Sequence, residues 1–128
     1  MKALQKCNDA IVNNASPGPC PDAKATESIT KATSKLRSSV NKGCGGSDKS
    51  CGTGGDDDSL ASIGWNMGNC PNFENGSCSN AIANCDGVST CLLCVGEAAV
   101  DQAINLYYGD LDTGTSNSDV IKCQRAIG

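Results

Sequence analysis

The chain has 128 residues, 38% of them apolar but only 3% aromatic, with no histidine and a net charge of −4. That length is in the range of one domain, and so few aromatic side chains limit the core it can build. The acidic balance argues against a nucleic-acid partner, and the missing histidine removes the commonest general base and the axial haem ligand.

Ten cysteines replace the missing core. Their density approaches that of secreted disulfide scaffolds, and an even number pairs without remainder. The expectation is five disulfides among Cys7, Cys20, Cys44, Cys51, Cys70, Cys78, Cys85, Cys91, Cys94 and Cys123, and hence an extracellular or cell-surface location. Connectivity is open, since ten cysteines allow roughly a thousand pairings; Cys44 with Cys51, closing a glycine loop, is one expectation.

Residues 1–14 place Leu4, Cys7 and Ile11 at i, i+3 and i+7, one face of a helix from Lys2 to Asn13. Pro17-Gly18-Pro19-Cys20-Pro21 interrupts it, and Asp22 then stands as an N-cap before a stretch reaching Lys42. There Ala25, Ile29, Ala32, Leu36 and Val40 form a stripe, and Gly43 is the expected C-terminal cap. Residues 43–58 are glycine-rich and polar, a loop. A short helix is expected from Asp58 or Ser59 to Gly64, then irregular chain over 65–77. Ser77 to Asn84 is expected to be helical, with Cys78 and Cys85 on one face and Gly87 as its stop. Ser89 or Thr90 then caps a helix to Tyr108, closed by Gly109, and a last helix runs from Asp119 to Ala126. The fold class is therefore mainly α: a small disulfide-rich helical domain, of about four to six helices with long Gly-rich loops. No segment approaches eighteen apolar residues, so no membrane span is expected. Residues 1–20 lack the pattern of a signal peptide, so the sequence reads as a mature form or an internal piece of an exported polypeptide.

Candidate chemistry is sparse. Cys91-Leu92-Leu93-Cys94 has CxxC spacing, but Val95 follows where haem attachment needs histidine, and a thioredoxin-like dithiol needs a preceding strand. A zinc site needs a second close pair, whereas Cys44/Cys51 and Cys78/Cys85 are each seven apart. Two structural half-cystines on a helix is the reading that remains. Asp110 and Asp112 copy the first alternating ligands of a calcium loop, but Gly114 and Ile121 depart from its later ligand positions, so a solvated loop is expected. Asp56-Asp57-Asp58 lacks that alternation and suits a helix N-terminus. Asn14-Ala-Ser16 and Asn75-Gly-Ser77 match the glycosylation sequon, a tripeptide common by chance. No Gly-x-Ser-x-Gly elbow or tuned catalytic group stands out, so no enzyme activity and no cofactor are expected. Charge is unevenly placed: residues 1–42 carry seven Lys/Arg against three acids, and residues 43–121 carry one Lys against eleven.

Lys122-Cys123-Gln124-Arg125-Ala126-Ile127 resembles the KCQxAIxK motif of uncharacterised exported cysteine-rich bacterial repeat proteins. Lys2-Ala3-Leu4-Gln5-Lys6-Cys7 is similar to their KALQKC motif, and Cys20-Pro21-Asp22 to their Cys-Pro-Asp turn. In those proteins the KCQxAI segment runs on into KALQKC, whereas here the two motifs lie at opposite ends. The resemblance implies one period of a tandem array, or a subunit whose terminal helix packs on its neighbour's first helix, with Leu4, Ile11, Val120 and Ile127 in the contact. The expected function is a structural, self-associating unit of an extracellular filament or surface layer, its partners copies of itself. The alternative is a monomeric secreted binding module, an adhesin or calcium-dependent binder.

Overall fold

A computed structural model of the chain describes residues 1–13, 15, 16, 19–73, 76–109, 122, 123 and 126. Among these the chain forms three α-helices, α1 (Lys2–Val12), α2 (Ala23–Cys44) and α3 (Cys85–Tyr108), and no β-sheet beyond an isolated bridge between Asn69 and Ala81. With four disulfides, this is a small disulfide-rich helical protein. The chain divides into two compact units, one of residues 1–30 with 100–128, the other of residues 31–99.

In the first unit, α1 begins without a side-chain cap. It buries Cys7 and Val12, while Leu4 and Ile11 are half-buried. Cys7 is bridged to Cys20 across 5.8 Å between Cα atoms, which ties α1 to the residues just before α2. Asp22 caps α2 as expected, its Oδ1 accepting the Ala25 N–H at 2.7 Å, and Ala25 is buried. At the other end of this unit, the Tyr108 hydroxyl donates to Asp9 Oδ1 at 2.6 Å, joining the last turn of α3 to α1.

The second unit is built around the first half of α3. Cys85, Val88 and Cys91 recur on one face and are buried, and the core there comprises Cys70, Cys78, Ile82, Val88 and Cys91. Leu60, Ile63, Trp65, Cys94 and Val95 pack around that cluster. Three bridges fasten the preceding loops to the helix: Cys51 to Cys85, Cys70 to Cys91, and Cys78 to Cys94.

Four expectations are corrected. The second helix does not end at Gly43 but continues to Cys44. The expected helix after Asp58 is a run of turns over 60–64; Ser59 Oγ accepts the Ser62 N–H, but Gly64, at φ +75°, ends the run at once. Ser77 to Asn84 is not helical, because its backbone bonds lead elsewhere: Asn80 O accepts from Cys70 N–H at 2.9 Å, and Ile82 N–H donates to Gly68 O at 2.8 Å. Finally, α3 starts at Cys85, four residues before Ser89. Asn84 is its cap, with Oδ1 accepting from the N–H groups of Asp86 and Gly87, each at 3.1 Å. Gly109 closes the helix as expected, its N–H reaching Asn105 O at 2.8 Å. The expected helix from Asp119 to Ala126 lies outside the described residues, apart from isolated positions.

By length and composition α3 is apolar enough to cross a membrane, with a mean hydropathy of 1.2 over its best window. Its first half is instead held in the second unit by Cys85, Cys91 and Cys94. Its second half leaves Leu106 84% and Tyr107 50% exposed.

Candidate functional site

The cysteines are the chemical feature that the sequence singles out, and the structure pairs eight of the ten. Cys91 and Cys94 are half-cystines on α3, each bridged to a different loop, and not a dithiol pair. The expected Cys44–Cys51 bridge does not form. Cys51 pairs with Cys85, and Cys44 stays in the last turn of α2 as a half-buried thiol because the helix runs past Gly43. Cys123 also carries a thiol and is exposed, so four bridges stand where five were expected. Four disulfides accord with an extracellular or otherwise oxidising environment.

The glycine-rich loop owes its shape to its own carboxylates as well as to Cys51. Asp56 Oδ2 accepts from the backbone N–H of Ser47 at 2.7 Å and from its hydroxyl. These bonds hold the Asp56 carboxyl below its ordinary pKa. Asp48 accepts from the Ser50 N–H and from the Thr53 hydroxyl, and Asp57 Oδ2 accepts from the Gly52 N–H at 2.7 Å. Gly46 permits this folding: its φ is +58°, and a Cβ there would run into the Asp56 carbonyl and carboxylate. The aspartates thus serve as turn acceptors. Asp57 Oδ1 is buried and accepts no hydrogen bond. Among the described residues, no group of three or more His, Cys, Asp or Glu side chains is arranged to hold a metal ion. Asp110 and Asp112, Asn14 and Asn75, and the contact residues Val120 and Ile127 lie outside the described residues.

Two clusters carry no motif. Arg37, on α2, reaches the N-terminus of α3, where its Nη1 donates to Asp86 Oδ1 at 3.0 Å, Ser89 Oγ at 3.2 Å and Thr90 Oγ1 at 3.4 Å. Ser89 is buried and donates in turn to the Asp86 carbonyl. The second is the Tyr108–Asp9 pair, in which burial first, and then the Asp9 hydrogen bond and charge, push the phenol up to about 12. A single basic residue opposite an acidic one 49 positions away leaves no local pattern to read.

No protein-family model, curated protein or solved structure matches the chain.

Proposed function

We propose that the chain is a structural, self-associating unit of an extracellular filament or surface layer. The observation that carries this reading is the make-up of the interior. Of the nine buried apolar residues described, five are half-cystines: Cys7, Cys70, Cys78, Cys85 and Cys91. Such a frame resists extremes by covalent constraint and not by core volume. It also leaves apolar surface outside, as at Leu106 and Tyr107, that contact with another copy would cover. The resemblance to exported cysteine-rich repeat proteins points the same way. Leu4 and Ile11 on α1, with Val120 and Ile127 of a neighbour, are the proposed apolar contact.

The test is sizing and electron microscopy of the native, unreduced protein. An ordered polymer is expected, lost in Leu4→Asp while the four bridges and the helix content persist. A chain that stays monomeric at every concentration would instead favour a secreted binding module.

A further inference from the structure

On α2, Lys24, Lys31, Lys35 and Lys42 are spaced by seven, four and seven residues, and all four are exposed. At 3.6 residues per turn these intervals bring them to within about 20° of one line along the helix, a ridge roughly 27 Å long. By the same geometry Arg37, whose guanidinium is committed to Asp86, lies on the far side of the helix from the ridge, and buried Ala25 lies about 100° around from it. Glu27 is the only acidic residue of α2. Among the described contacts, Lys24, Lys35 and Lys42 have no ion-pair partner. Lys31 and Lys35, four apart, are like-charge neighbours on that face, and an acidic surface laid against the ridge would offset their repulsion.

The loop over residues 45–58 has the opposite character: four carboxylates, Asp48, Asp56, Asp57 and Asp58, against one ammonium, Lys49. It is not a loose acidic tail. Cys51 is bridged to Cys85, and Ser47, Ser50 and Thr53 hold Asp48 and Asp56 in place, so its charge is presented on a fixed frame, with Asp48, Asp56 and Asp58 exposed.

We infer that the lysine ridge of α2 is a docking face for the acidic 45–58 loop of a second copy of this chain. The inference rests on the self-association reading and names its electrostatic contact. Charge complementarity within one sequence selects the occupant. Every copy offers both the ridge and its acidic counterpart, so the two surfaces attract locally although each copy carries a net charge of −4. Ridge to loop is a contact between two different surfaces. If its rotation does not close a ring, it propagates into an open chain, as a filament requires.

The experiment is sedimentation of the full, unreduced protein across a salt series, with charge-reversed variants. Exposed ion pairs are individually weak and are screened as the Debye length falls, so raising salt from about 0.05 M to about 0.5 M should weaken self-association by at least about tenfold. Lys24→Glu with Lys35→Glu should weaken it at low salt by a similar factor, and Asp58→Lys should do so several-fold. An equimolar mixture of the two variants should recover association that neither shows alone. The neutral pair Lys24→Gln with Lys35→Gln, checked for unchanged helix content and disulfide mass, should lie between wild type and the reversed variant. Assembly that persists in the reversed variant and ignores salt would overturn this contact and leave the filament reading in place. A chain monomeric at every salt concentration would overturn both.

Discussion

Tyr108 shows how much one side chain contributes where the core is small. Its hydroxyl meets Asp9 at 2.6 Å, and burial with that negative neighbour raises its pKa from 10.0 to about 12. A phenol whose folded pKa lies above its unfolded value binds its proton more tightly in the native state. The stability it adds is therefore complete below about pH 10 and lost as pH rises through about 12. Tyr108→Phe keeps the ring and removes the bond to a charged acceptor, which at this half-buried position should cost about 1 kcal/mol in denaturant unfolding at neutral pH. It should also delete the phenolate absorbance phase that rises near pH 12 in the folded wild type. A variant of unchanged stability that keeps the late phase would show that the Asp9 contact does not form in solution.

Among the helices, the local signals that were legible are those the structure keeps. The stripe from Ala25 to Val40 and the Asp22 cap place α2 correctly at its start, and Gly109 marks the end of α3. The misreadings have physical causes. Cys78 and Cys85 are seven apart, a spacing that imitates one helix face, yet they are drawn to different partners, Cys94 and Cys51. Gly87 reads as a helix stop but sits in the first turn of α3, where a Cβ would come within 3.0 Å of the Ala81 carbonyl and Ile82 Cα; the glycine is there for close packing. Disulfide partners were not legible at all, because pairing depends on which loops return to α3. Nor was Arg37, which the structure makes the tie between α2 and α3. Its ion pair with Asp86 is partly exposed and contributes little, but loss of the guanidinium also removes a donor to buried Ser89. Arg37→Ala should therefore destabilise the protein by about 1–2 kcal/mol, with Arg37→Lys recovering part of the loss, since an ammonium keeps the charge and the donors that Nη1 supplies. The measurement is the denaturant midpoint at constant slope, and an unchanged midpoint would show that the Nη1 contacts are ornamental.

For the whole molecule, the question is what remains when the covalent frame is removed. The bridges close loops of 13, 34, 21 and 16 residues. Chain entropy assigns each about 3–4 kcal/mol, and even allowing for their overlap the combined contribution is on the order of 10 kcal/mol, comparable with the entire net stability of an ordinary domain. Little else is available to offset the loss. The non-cysteine apolar residues buried among those described are Val12, Ala25, Ile82 and Val88. The long helices do not stand alone either, since in α2 only Ala25 is buried and helices of this length draw most of their stability from packing. Reduction at neutral pH should accordingly abolish most of the helical signal in far-ultraviolet circular dichroism and make the chain sensitive to protease. Reoxidation in a thiol–disulfide buffer should restore both, with two thiols per chain still titrating in the restored protein. Retention of the helical signal and of a cooperative unfolding transition after full reduction would mean that packing, not the cystines, specifies the fold, and the covalent-frame argument for a structural role would lose its footing.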